Sequence, residues 1–287
     1  MSLVETILQS VTQLPPFPAV IQRVMELVED SKTSAHDVVE VIQYDQSITA
    51  NVLMVCNSAY FGLRKPVYSL KDALVRIGFN TLVEIILTRG TAFLFYQSCQ
   101  GYQLQRGELW RHSVACAILS QILAERLKQK KSAVQFTTTL LHDVGKTVLS
   151  GFVKDHFEGI HRLVQEKNLS FLEAERETLG IDHAELGGRI AEGWKFPPNI
   201  IAGIRHHHTP FLATEYRDLV SLAYLCDVVA LMTGIGGGAD GLSYPGYKEI
   251  MEQYDLKERD LEEVISDLES GMKKVEGMLN LLIPQAE

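Results

Sequence analysis

The sequence has no CxxC pair, no prominent run of lysine or arginine, and no apolar stretch of membrane length. It also has no segment of sustained strand-type alternation and no low-complexity tract. Each lack excludes a class of protein. The four cysteines, Cys56, Cys99, Cys116 and Cys226, are scattered, which fits reduced thiols and argues against a disulfide frame or a zinc ribbon. With 27 Lys and Arg against 36 Asp and Glu, the net charge is −9. A basic surface for nucleic acid or an anionic membrane is therefore not expected. The most apolar stretch, Leu219 to Met232, is interrupted by Asp227 and is shorter than the roughly 20 apolar residues of a span, so it reads as a buried helix. Met1-Ser2-Leu3-Val4-Glu5 has no basic region and no long apolar run, so no signal peptide is expected and a cytoplasmic location is.

What is present is helical periodicity almost throughout, which predicts an all-α fold. After the extended Leu14-Pro15-Pro16-Phe17-Pro18, the apolar positions Val20, Ile21, Val24, Met25, Leu27 and Val28 mark a helix ending near Asp30. Ser34 is placed to cap the next helix, whose apolar face is Val38, Val39, Val41 and Ile42. Further helices are expected over 45–57, 69–77 and 80–96, with a turn at Gly62. Buried positions in this third should include Val24, Leu27, Val38, Ile42, Leu53 and Ile86. Gln97 to Gly107 is polar, contains glycine and lacks periodicity, which makes it the candidate boundary between a unit over 1–97 and a second over 108–287. Helices are then expected at about 108–128, 133–154, 156–167, 170–179, 183–194, 198–208, 214–233, 246–254 and 257–282. Gly234 to Pro245 reads as a flexible surface loop.

On this helical frame sits a spaced set of ligand-type residues. His112 lies three positions after Leu109 in the stripe Leu109, Ala115, Cys116, Leu119, Ile122, Leu123. His183 continues the stripe Leu186, Gly187, Ile190, Trp194, and His207 and His208 extend the face of Ile200, Ile201 and Ile204, whereas His206 falls off it. Asp227 is surrounded by Ala223, Tyr224, Leu225, Val228, Val229 and Leu231, and His142-Asp143 forms a dipeptide. A lone histidine of this kind reads first as a satisfied core residue, and a buried aspartate alternatively caps a helix or holds an arginine such as Arg89 or Arg111. Taken together, inward imidazoles and carboxylates on separate helices are expensive to bury without a cation.

Neutral imidazole and carboxylate suit divalent transition metals such as Fe, Mn, Zn or Ni. Seven donors (His112, His142, Asp143, His183, His207, His208, Asp227) exceed one tetrahedral sphere, so one or two ions are expected. Such a site would lower the pKa of a water and direct it at a phosphate ester. Lys146, one helical turn beyond His142, would neutralise phosphate charge; its alternative is a solvated lysine.

Leu140-Leu141-His142-Asp143-Val144-Gly145-Lys146 resembles the motif of the HD superfamily of metal-dependent phosphohydrolases. More specifically, the chain resembles the HDOD domain, the HD-related output domain of bacterial signalling proteins, over roughly residues 14–235. The resemblance is carried by Leu14-Pro15-Pro16-Phe17-Pro18, Asn57-Ser58-Ala59-Tyr60-Phe61-Gly62, Ile77-Gly78 and Leu109-Trp110-Arg111-His112-Ser113. It continues in His183-Ala184-Glu185-Leu186-Gly187, Trp194-Lys195-Phe196-Pro197 and His207-His208-Thr209-Pro210. It implies an N-terminal helical subdomain packed on an HD-like helical subdomain, acting as a stand-alone regulatory module. Its partner would be a signalling protein or a nucleotide ligand, with no nucleic acid and no membrane. HDOD domains are similar in fold to HD-GYP cyclic-di-GMP phosphodiesterases, and the seven donors fall where those sites place metal ligands. The alternative is therefore a metal-dependent phosphohydrolase of a nucleotide or cyclic dinucleotide, with Asp143 and Lys146 catalytic. No Gly-Tyr-Pro follows His208, and Ser243-Tyr244-Pro245-Gly246 lies downstream and out of order, which weakens that substrate assignment.

Overall fold

A computed structural model of the chain describes residues 2–12, 14–30, 32–236, 238–240 and 246–282. Among them are sixteen α-helices, two short 3-10 turns and no β-strand. In the first third these are α1 (Leu3–Val11), α2 (Ala19–Glu29), α3 (Ala35–Ile42), α4 (Gln46–Cys56), α5 (Leu70–Ile77) and α6 (Phe79–Phe95). The middle holds α7 (Glu108–Arg126), α8 (Ala133–Leu141), α9 (Val144–Asp155), α10 (Phe157–Lys167) and α11 (Phe171–Leu179). Then come α12 (His183–Gly193), α13 (Pro198–His206), α14 (Arg217–Met232), α15 (Tyr247–Gln253) and α16 (Glu258–Leu282).

Local chemistry explains several of the helix starts. Ser34 and Ser170 form capping boxes with Asp37 and Glu173, and Asp45, Ser69, Ser132 and Asp182 cap α4, α5, α8 and α12 through their side chains. Helix α1 is an addition to the expected elements. Ser2 and Glu5 close a capping box on it, and it buries Ile7 and packs on α9.

The expected helix over 133–154 is instead two, broken at His142 and Asp143, which lie in a turn between α8 and α9. Both halves have apolar faces, so the pattern crosses the break without a sign of it. The polar segment 97–107 is also more than a connection. It forms the 3-10 turn Gln100–Tyr102, a bridge between Cys99 and Leu104, and buries Tyr102 against α9. A Cβ at Gly101 would lie within 2.8 Å of the Lys154 nitrogen, so only glycine fits that approach.

A single apolar core runs from Ile7 and Val24 through Ile86, Leu119 and Leu140 to Leu225 and Leu268. Val24, Val38, Ile42 and Ile86 are buried as expected, while Leu27 and Leu53 are half-buried at its edge. The centre of the second half is the packing of α7 on α8 and α14 and of α12 on α9 and α13. Helix α16 lies across α4, α6 and α7 and so joins the two halves. Among the described residues no single helix is long and apolar enough to cross a membrane; α5 and α6 pass that test only as a pair, and they bend by 118° at Gly78.

Candidate metal centre

The helices that pack around α7 and α9 bring all seven expected donors into one pocket. His112 comes from α7, His142 and Asp143 from the break, His183 from the first residue of α12, and His207 and His208 from the end of α13. Asp227 comes from the middle of α14. His142, Asp143 and His207 have no solvent exposure, and His112, His183 and Asp227 have 1%. His206 lies outside this group.

Four of the imidazoles are held the same way. His112 Nδ1 lies 3.0 Å from the Ile235 carbonyl oxygen, His142 Nδ1 2.7 Å from that of Thr139, and His207 Nδ1 2.6 Å from that of Ile204. His183 Nδ1 lies 2.8 Å from Glu175 Oε2. Carbonyl and carboxylate oxygens only accept, so each Nδ1 donates and each Nε2 is the ring nitrogen turned inward, able to ligate once it carries no proton. Those Nε2 atoms face two carboxylates. Asp143 Oδ2 is 3.6 Å from His112 Nε2 and 3.4 Å from His142 Nε2, while its Oδ1 is 3.6 Å from Nε2 of both His183 and His207. Asp227 Oδ1 is 3.1 Å from His112 Nε2 and 3.7 Å from His142 Nε2, and its Oδ2 is 3.7 Å from His208 Nδ1. His183 and His208 approach to 2.8 Å between Nε2 atoms.

The electrostatics reflect this crowding. Burial opposes charge on His112, but the Cys116 sulfur and the Asp227 carboxylate hold its pKa up at about 10. Burial acts likewise on His142, and Asp143 and Asp227 hold it up at about 10. Burial lowers His207 and His208, the latter further through the neighbouring charges of His207 and His183. Burial would raise Asp143 and Asp227, yet Lys146 and His142 beside the first, and His112 and His142 beside the second, hold both well below the usual carboxylate range.

The residues present fit a divalent ion. His142 Nε2, His207 Nε2, Asp143 Oδ1 and both oxygens of Asp227 are buried without a hydrogen-bond partner. At about 1–3 kcal/mol for each orphaned atom, the set weighs heavily against a typical fold stability of about 5–15 kcal/mol. The donors also divide into two groups, each with its ligand atoms within 4.8 Å of one another. One is His112, Cys116, His142 and Asp227; the other is Asp143, His183, His207 and His208. A cation of two charges in either group would replace protons on its imidazoles and pair with the carboxylates.

Lys146 is a correction to the picture of a solvated lysine. It is buried, with Nζ 2.7 Å from Asp143 Oδ2 and 2.5 Å from Asp240 Oδ2, and although burial opposes its charge, these carboxylates hold its pKa well above the ordinary value. Asp240 lies in the segment expected to be a free surface loop. Its described part instead crosses the pocket: Ile235 accepts from His112, Ala239 N donates to the Tyr102 carbonyl at 2.9 Å, and a Cβ at Gly236 would fall 2.5 Å from that of His112. Gly237 and residues 241–245 of that expected loop lie outside the described residues.

Four further participants escaped the sequence reading. Glu175 had a signal, since Phe171, Ala174, Glu175 and Leu179 share the buried face of α11. Cys116 stands at i+4 from His112. Asp240 had no signal, because a loop has no period. Tyr102 completes the set by donating its hydroxyl to Glu175 Oε1 at 2.5 Å.

The model of the HDOD domain matches residues 14–210. An uncharacterized protein of Treponema pallidum (strain Nichols) is 24% identical over 221 residues, covering 76% of this chain and 42% of that protein. The chain therefore spans less than half the length of that relative. Among solved structures, an HDOD domain protein with unknown function from Geobacter sulfurreducens aligns over 98% of this chain and 97% of its own, with TM-score 0.76 and 24% identity. A candidate phosphohydrolase from Shewanella amazonensis SB2B aligns over 96% and 97% with TM-score 0.70 and 25% identity. A candidate signal transduction protein from Marinobacter aquaeolei VT8 aligns over 99% and 62% with TM-score 0.77 and 20% identity.

Proposed function

The chain belongs to the HDOD family, and from that premise we propose that it is a signalling module whose buried pocket holds one or two divalent transition-metal ions. His112, His142, Asp143, His183, His207, His208 and Asp227 would hold them. The observation that carries this reading is the common tautomer lock: four Nδ1 atoms spent on oxygen acceptors, four Nε2 atoms turned toward two carboxylates. When bound, such an ion supplies Lewis acidity toward an oxygen of a phosphate-type ligand.

A regulatory role is favoured over hydrolysis by how the pocket's own groups are committed. The Lys146 ammonium, the group best suited to neutralise a phosphate, is paired with Asp143 and Asp240. The segment carrying Ile235, Gly236 and Asp240 lies over His112 and Lys146. The chain would thus act through binding a signalling protein or a nucleotide, with the metal ions ordering the helices that converge on them. The second reading, a metal-dependent phosphohydrolase, is supported by the two donor groups and by the likeness to the candidate phosphohydrolase. In that case Asp143 and Lys146 would contact the substrate phosphate or position it.

Elemental analysis of the purified chain, followed by a phosphodiesterase and nucleotidase screen with added Mn, Fe or Zn, separates the readings. One or two ions per chain with no turnover is the expected result. Metal-dependent hydrolysis lost in Lys146→Ala, with metal content unchanged, would establish the enzyme instead.

A further inference from the structure

Cys116 reads in the sequence as one of four scattered thiols, but its place in the fold is specific. It is fully buried on α7 one turn after His112, and its Sγ lies 3.6 Å from His112 Nε2. The i, i+4 spacing lets one helix face deliver both side chains to one point. Around a tetrahedral ion with nitrogen at about 2.0–2.1 Å and sulfur at about 2.3 Å, the two ligand atoms stand ~3.6 Å apart. That is the separation found. The same group contains His142 Nε2 and the Asp227 carboxylate, both buried and without a hydrogen-bond partner, and all four ligand atoms lie within 4.8 Å of one another.

We propose that Cys116 is a metal ligand and that it makes the pocket two chemically unequal half-sites. One half, from His112, Cys116, His142 and Asp227, selects a thiophilic divalent ion such as Zn2+ or Fe2+. The other, from Asp143, His183, His207 and His208, has no sulfur and accepts harder ions, including Mn2+. Asp143 lies between the halves, with Oδ2 toward His112 and His142 and Oδ1 toward His183 and His207. Ligation takes the thiolate form: the Sγ–H proton passes to solvent as the sulfur–metal bond forms, and no oxidation state changes. This inference rests on the reading that the pocket holds divalent ions. The competing role for Cys116 is a buried thiol hydrogen-bonded to His112 Nε2 at 3.6 Å and donating weakly to the Cys226 carbonyl, 3.8 Å from Sγ.

The two roles differ spectroscopically. Metal-stripped full-length chain would be titrated with Co2+ alone, with absorption spectra and elemental analysis recorded together. A thiolate ligand gives cobalt a strong sulfur-to-metal charge-transfer band in the near ultraviolet, whereas imidazole and carboxylate do not. The band is expected in the wild type and in Cys226→Ser. It should be lost in Cys116→Ser and Cys116→Ala, which retain cobalt in the sulfur-free half while the other half weakens at least about tenfold. Cobalt bound by the wild type without the band, or a band that survives in Cys116→Ser, overturns the assignment of Cys116 but leaves the metal reading standing. A wild type that binds no cobalt overturns both. If neither Cys116 variant folds, the wild-type and Cys226→Ser spectra decide.

Discussion

Glu175 Oε2 accepts two hydrogen bonds from the same residue, His183: one from its ring Nδ1 at 2.8 Å and one from its backbone nitrogen at 3.0 Å. The carboxylate therefore fixes both the start of α12 and the orientation of its first side chain. The other oxygen takes the Tyr102 hydroxyl, so the three residues form one buried chain from the 97–107 segment to the pocket. Glu175→Gln keeps the shape but makes the lock ambiguous, because an amide presents its oxygen or its nitrogen to Nδ1. Metal affinity is expected to fall about 10- to 100-fold, with helix content unchanged. Chelator competition measures the first and circular dichroism the second, and an unaltered affinity would remove Glu175 from the site.

Lys146 makes a separate, energetic prediction. Asp143 and Asp240 both rely on its ammonium, and none of the three side chains is more than 4% exposed. Lys146→Met should destabilise the metal-free protein by about 3–5 kcal/mol, since two carboxylates are left facing each other. Adding Asp240→Asn should recover part of that loss. A double-mutant cycle by urea unfolding reads the coupling, and purely additive effects would show that the pairing is not formed in solution.

Gly145 is required for a reason unrelated to charge. A Cβ there would stand 1.9 Å from the His183 carbonyl oxygen and 2.8 Å from the Gly187 nitrogen, both backbone atoms of α12. Backbone cannot swing aside as a side chain does, so Gly145→Ala must separate α9 from α12. A loss above about 3 kcal/mol is expected by urea unfolding. Wild-type stability in this variant would mean that the helices do not approach so closely.

Glu84 gives a pH dependence away from the donor set. It borders a cavity of about 60 Å³ with Tyr60, Ile85, Val114 and Ile118, where burial raises its pKa to about 7 against the weaker opposing charge of Lys131. Folding therefore favours the protonated acid. The contribution is fully present below the ordinary carboxyl pKa and is lost as pH rises from there through about 7. Glu84→Gln should abolish that loss, making the variant more stable than wild type at pH 8 by at most about 3 kcal/mol and closest to it near pH 4. Parallel unfolding curves for the two proteins across this range would contradict the assignment.

Much of the fold and of the donor set is legible in the chain. The 3.6-residue period marks the helices of Val24 and Val38 and the stripes that turn His112, His183 and Asp227 inward. That period says nothing where backbone departs from it. The turn at His142 and Asp143 lies between two apolar faces and looks continuous in sequence. Segment 97–107 looks like a linker because Tyr102 and Leu104 are buried by contacts rather than by regular spacing. Asp240 and Lys146 show the other limit: a pair ninety-four positions apart is a property of the tertiary path alone.

The turn at His142 and Asp143 also sets how the pocket tolerates changes of chain length. Each residue added to a helix rotates every later residue of that helix by about 100°. Because only His142 and Asp143 separate α8 from α9, an insertion in the half-buried first turn of α8 alters the phase of His142 relative to α8's own packing but leaves the interval from Asp143 to Gly145 and Lys146 intact. An insertion within α9 does the reverse. The two ligands adjoin in the chain yet answer to separate helical registers, so the loop before Ser132 can vary in length while the chelating pair keeps its geometry.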